Sequence, residues 1–280
     1  MKKILLATSA VALFAGAAAA EVTTTGTARM GIVYDGTDTF FSSRFRVIFT
    51  ASGESDSGFS FGASVRNDQS GVGNEENGDS TVYISGAFGK LTMGDTGNAA
   101  DSLVGQVSGV GYTGLGDLNE IGWLGKDVTG AQYEYSTGAF TFALGAGQLI
   151  DTDGLPATDD FLSVAVKYAT DAYSFALGYE ENDSDSEISA LGSATFGGAT
   201  IKLKLADRDS AADMAAALSV DYTTGATTLT AFATDNVDFA GTDTFGVGAA
   251  YDLGGGASVV GGIVDNGTDT TADVGLTFSF

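Results

Sequence analysis

The sequence predicts an all-β chain: a closed, membrane-crossing antiparallel barrel of sixteen strands whose long third loop folds into the lumen. Three features carry that reading. From Val22 to Phe280 apolar residues recur with period two, in segments of about ten residues, long enough to cross a bilayer when tilted and longer than most strands of soluble sheets. Short turns such as Ser55 to Gly58, Ala169 to Ala172 and Gly197 to Ala199 alternate with longer acidic loops. The polar faces carry Arg, Lys, Glu and Ser along whole strands, which suits a water-filled interior better than the outside of a sandwich. About sixteen such segments is an even number that returns both chain ends to one side, and closure pairs every backbone N–H and C=O where lipid offers no partner.

Residues 1–20 read as an export leader, with Lys2-Lys3, an apolar run from Ile4 to Phe14, and Ala18-Ala19-Ala20 before Glu21. The barrel domain then spans residues 21–280. Loss of Lys2 and Lys3 with the leader leaves 36 acids against 10 bases, a net charge of −26. So acidic a chain lacks the basic footprint of a nucleic-acid binder. Histidine and cysteine are both absent, which excludes imidazole triads, thiolate chemistry and nearly every structural zinc site. The expectation is a protein that is not an enzyme and that carries no cofactor. In an oxidising compartment it is held together without disulfides.

The strands justify themselves in order. In FFSSRFRVIFTA, Phe41, Phe45, Val47, Phe49 and Ala51 share one face, and Ser42, Arg44, Arg46 and Thr50 the other. FSFGASVR sets Phe59, Phe61, Ala63 and Val65 against Ser60, Gly62, Ser64 and Arg66. LSVAVKY and YSFALGYE follow the same rule, with Val164 and Phe175 on apolar faces. IKLKL places Ile201, Leu203 and Leu205 outward and Lys202 and Lys204 inward, where both lysines are expected to accept Glu with little loss of folded yield. The last run sets Ala272, Val274, Leu276, Phe278 and Phe280 opposite Asp273, Gly275, Thr277 and Ser279.

Alternation stops between KLTMG (Lys90 to Gly94) and GAQYEYS (Gly130 to Ser136). The stretch Asp95 to Thr129 is far longer than the 12–15 residues of an ordinary loop, a length that points to function. Its acids are Asp95, Asp101, Asp117, Glu120 and Asp127, and its apolar residues include Leu103, Val107, Val110, Ile121 and Trp123. Those apolar residues need a surface to pack on, and the barrel interior is the surface available. Four of the five arginines, Arg29, Arg44, Arg46 and Arg66, fall on the polar face of the first three strands. Adjacent strands are about 4.8 Å apart, so these cations form one patch on the inner wall. An acidic inward loop facing that patch creates a transverse field, which orients dipolar solutes and discourages apolar ones.

Two other acidic stretches, Asp151 to Gly154 and Glu181 to Glu187, have the oxygen-rich look of calcium loops but lack the twelve-residue spacing of a dedicated site. Solvated carboxylates are the favoured reading, with weak calcium binding or bridging to anionic lipid as the alternative.

The segments EVTTTGTARMGIVYDG, FSSRFRVIFTASG, SGAFGKLTMGD and YDLGGGASVVGGIVDN with the tail ADVGLTFSF resemble the general-diffusion porins of photosynthetic α-proteobacteria, the Rhodobacter type. The resemblance implies a homotrimer of sixteen-stranded barrels in the outer membrane of a Gram-negative bacterium, among lipid and lipopolysaccharide, passing small hydrophilic solutes and ions. It implies periplasmic termini, a third loop forming the eyelet, and a basic wall of Arg29, Arg44, Arg46 and Arg66 facing acids drawn from Asp95 to Asp127. The terminal Phe280 resembles the aromatic that outer-membrane assembly reads. Two alternatives remain at this level: a structural or adhesive barrel plugged by its third loop, and a soluble secreted β-protein.

Overall fold

The computed structural model describes residues 21–70, 74–125, 129–147 and 161–280. Glu21–Tyr34 (β1) and Thr39–Glu54 (β2) make the first hairpin, and Ser60–Ser70 (β3) and Asn74–Gly86 (β4) the second. Gly89–Asp95 (β5) leads into the third loop, which holds a short helix, Ala99–Leu103 (α1), and a 3-10 turn at Leu115–Asp117. Thr129–Thr137 (β6), Phe140–Gly147 (β7), Leu162–Ala169 (β8) and Tyr173–Glu181 (β9) follow. Next come Ser186–Phe196 (β10), Ala199–Arg208 (β11), Ala215–Thr224 (β12) and Thr227–Asp235 (β13). Phe245–Gly254 (β14), Ala257–Asp265 (β15) and Thr270–Ser279 (β16) complete the set.

Each strand pairs antiparallel with its sequence neighbours, and β1 also pairs with β16, so the sheet closes into a barrel without an edge. The seam is tied further by Phe280, whose N–H donates to Gly26 O at 2.9 Å while its own carbonyl accepts Gly26 N–H. The apolar faces point outward: Phe49, Val164, Phe175, Leu203 and Val274 are all exposed on the barrel's exterior. Among the described residues no apolar core fills the centre in the manner of a soluble fold. The buried apolar residues instead lie where the third loop packs on the inner wall.

The barrel is not equally tall all round. β1, β2 and β4 run to 14, 16 and 13 residues, whereas β6 to β9 have only 8 or 9. Connections at the end away from the termini are also less uniformly long than the sequence suggests. Three of them, 35–38, 182–185 and 266–269, are four-residue turns. In each, the first side chain accepts the amides two and three residues on: Asp35 from Thr37 and Asp38, Asn182 from Ser184 and Asp185, Asn266 from Thr268 and Asp269. Such side-chain turns let acidic sequence close tightly rather than bulge. The Asp38 and Thr37 amides hold the Asp35 carboxyl below its ordinary range.

Candidate functional site

The third loop leaves β5 and enters the barrel. Asn98 caps α1 by accepting the Asp101 N–H at 2.6 Å, which fixes the helix start. From there the loop lies along the inner wall on a bed of small residues. Ala99 and Leu103 pack on Ala143 and Ala165, Val104 on Ala176 and Leu191, and Val107 with Ile121 on Ala206, Ala215 and Ala217. Val110 and Leu115 reach Phe232 and Val264. A Cβ on Gly178 would stand 2.7 Å from that of Ala100, so the wall must be bare there for the loop to approach.

Polar groups then pin the loop. Glu180 of β9, fully buried, accepts Leu124 N–H and Gly125 N–H at 3.0 Å each and the Asn98 amide at 2.6 Å, so one carboxylate gathers both ends of the loop. Its cross-strand partner Glu187 takes a two-pronged bond from Arg208, at 3.0 and 2.6 Å, and Arg208 also donates to Gly122 O at 2.9 Å. Lys204, completely buried, donates to Gln106 Oε1 at 2.9 Å and Ile121 O at 3.2 Å and lies 3.4 Å from the centre of the Trp123 ring. The buried position of Lys204 bears against its expected tolerance of Glu. Its inward direction is right, but the loop covers it. Further along, Asp273 of β16 accepts Tyr112 N–H, Thr113 N–H and the Thr113 hydroxyl, at 3.1, 2.8 and 2.6 Å.

The four arginines occupy the taller side. Arg29 and Arg44 face each other across β1 and β2, and Arg46 faces Asp68 across β2 and β3. Arg29 donates to Thr113 O at 3.0 Å and Tyr112 O at 3.3 Å, so it grips the loop tip from the wall. Arg46 holds the buried Asp68 carboxylate through Nε at 2.8 and 2.9 Å and Nη2 at 2.5 Å, and Arg66 Nε approaches it at 3.4 Å. Asp68 was not among the expected site residues. Its signal was present: it follows Arg66 by two, hence shares its face.

The expected acids separate. Asp95 is not in the loop: it closes β5 opposite Thr129 and accepts Ser80 N–H at 3.0 Å. Asp101 lies in the first turn of α1 and Glu120 on the loop's return limb, both within the electrostatic reach of Lys204. Asp117 is exposed on the 3-10 turn. Asp127 lies outside the described residues, as does the stretch Asp151 to Gly154. In Glu181 to Glu187 the carboxylates diverge: Glu181 accepts Tyr179 Oη–H at 2.8 Å, Asp185 accepts Ser186 N–H at 2.9 Å and Ser210 N–H at 3.0 Å, and Glu187 turns inward to Arg208. Among the described residues no three acids converge on a common point for a metal.

A family model for Gram-negative porins matches residues 7–271. The chain belongs to the Gram-negative porin family. It is 39% identical to a porin of Rhodobacter capsulatus, an alignment that covers 93% of this chain and all of that protein. A porin of Fuscovulum blasticum is 29% identical over the same share. A porin structure refined at 1.8 Å superposes with a TM-score of 0.78 at 35% identity, again covering 93% of this chain and the whole of the other. This porin is thus a multi-pass outer-membrane protein whose barrel forms a water-filled channel for passive diffusion of ions and small hydrophilic solutes.

Proposed function

We propose that the narrowest part of the path is a slot between the arginine wall and the free edge of the third loop. One side carries Arg29, Arg44, Arg46 and Arg66, moderated by Asp68; the other carries Asp101, Asp117 and Glu120. The observation that carries this reading is the division of the inner surface. The loop packs on the inner wall from β7 round to β15, while Arg44, Arg46 and Arg66 belong to β2 and β3. Opposed fixed charges at close quarters orient dipolar solutes and make passage costly for apolar ones, which gain nothing from the field. The channel works as a homotrimer surrounded by lipid and lipopolysaccharide, is exported with a leader removed before Glu21, and uses Phe280 as its assembly signal. The many acids at the outer mouth give a modest cation preference that salt erodes, since screening acts over about 8 Å at physiological ionic strength.

Single-channel recording in planar bilayers tests the slot. Arg44→Ala with Arg46→Ala is expected to raise cation preference and admit less polar solutes, with the barrel intact. Unchanged reversal potential and unchanged solute permeation would defeat it.

A further inference from the structure

A second loop also turns inward. Residues 236–244 join β13 to β14 at the end away from the termini, and Val237 is buried with Val107 and Ile121 of the third loop. The Thr244 hydroxyl donates to Leu118 O at 2.7 Å, a direct bond from this connection to the constriction loop. Phe239 lays its ring 4.2 Å from the Arg208 guanidinium carbon, and Arg208 in turn holds both Glu187 and Gly122 O. The connection is itself well fixed: Asn236 donates to Asp213 O at 2.9 Å and accepts Gly241 N–H at 2.7 Å, and the Asp238 carboxylate accepts Ala240 and Thr242 N–H.

Among the described residues, four that are not glycine adopt left-handed φ: Leu115, Asp117, Asn236 and Phe239, at 49°, 54°, 53° and 58°. Two belong to the constriction loop and two to this connection. A bulky residue such as Phe in that region is a costly exception, kept only where surrounding contacts over-determine it. Here the contacts are Arg208 and the cluster around Val107.

We propose that residues 236–244 clamp the constriction loop from the barrel end away from the termini, with Phe239 and Arg208 as positioning residues for the pore. The coupling is mechanical and short. Phe239 seats Arg208, Arg208 spans Glu187 and Gly122 O, and Gly122 belongs to the return limb that carries Glu120. Guanidinium is suited to this because its planar fork bonds a carboxylate and a carbonyl together, which an ammonium does poorly. The proposal rests on the reading of the third loop as the constriction.

The test is planar-bilayer recording of the full channel, scored for open-current noise and time spent closed, with reversal potential read in a salt gradient on the same membranes. Losing the ring over Arg208 in Phe239→Ala is expected to raise time in noisy or closed states about fivefold, as loss of one cation–π contact would shift a two-state balance. Phe239→Tyr keeps the ring and should record like the parent. Arg208→Lys should resemble Phe239→Ala. Phe239→Gly separates clamp from local strain, since glycine accepts the left-handed φ freely. The clamp predicts a noisy channel, whereas strain relief alone predicts a quiet one.

Parental noise in Phe239→Ala and Arg208→Lys, a quiet Phe239→Gly, or a Tyr variant as noisy as Ala would each overturn the proposal. If Phe239→Ala fails to insert, the contrast of Phe239→Tyr with Arg208→Lys decides. Failure of the constriction reading is separate: it would show as an unchanged reversal potential in Arg44→Ala.

Discussion

The two sides of this barrel use charge for opposite ends. On the tall side, β1 to β3, Arg44, Arg46 and Arg66 stay partly exposed to the lumen, and the buried Asp68 binds Arg46. On the other side Glu180, Glu187 and Lys204 are almost or wholly buried, roofed by the third loop, and they hydrogen-bond to the wall and to the loop. Alanine and glycine make the second arrangement feasible by letting the loop backbone lie close, so that buried charges meet partners at hydrogen-bond distance rather than water. The lesson is that an inward charge in a porin acts on solutes only where the loop leaves it uncovered. Charges under the loop act on the loop.

The strongest way to break that comparison is to place the wrong charge under the roof. Lys204→Glu adds a third carboxylate beside Glu180 and Glu187 and removes their neighbouring cation, and uncompensated buried charge costs about 3–5 kcal/mol. The loop is expected to leave the wall, seen as new protease cleavage between Gln106 and Trp123 with the barrel still folded. Its neighbour sets the control: Leu203→Lys points into lipid, where a cation near mid-membrane costs about 2–4 kcal/mol, and should lower folded yield rather than free the loop. Equal protease sensitivity in the two variants would break the covered-wall account.

On the open side the expected effects are smaller. Asp68→Asn removes the counter-charge between Arg46 and Arg66 while keeping the shape. Reversal potential should move toward anions, and conductance should fall as two less restrained guanidiniums reach into the slot. Asp68→Glu should restore both. A shift toward cations in Asp68→Asn would mean that the arginines do not face the permeation path.

Much of this was legible in the residues. Period two assigned the faces of Leu203 and Lys204 correctly, because alternation follows from strand geometry alone. It could not say that Lys204 is covered, since what covers a wall residue comes from a loop over eighty residues away in sequence. The apolar content of Leu103, Val107 and Ile121 did reveal that the loop packs inside. The complementary signal, small residues at Ala143, Ala165, Ala176, Ala206 and Gly178 on otherwise polar faces, identifies where it packs. Asp95 misled because the alternation breaks at the glycine before it, although its backbone still pairs with Thr129. A reading of the arginines alone misses Asp68, although it lies two residues from Arg66 on the same face.

The most direct measurement compares two single-charge deletions in one apparatus. Arg44→Ala and Lys204→Met each remove one positive charge from the inner wall. Under a potassium chloride gradient across a planar bilayer, Arg44→Ala should shift the reversal potential toward cations with current noise unchanged. Lys204→Met should leave the reversal potential close to the parent's and raise the noise, because its charge is spent on Gln106, Ile121 and the neighbouring carboxylates. Equal shifts in reversal potential from the two variants would contradict the division of the barrel into an open and a covered wall.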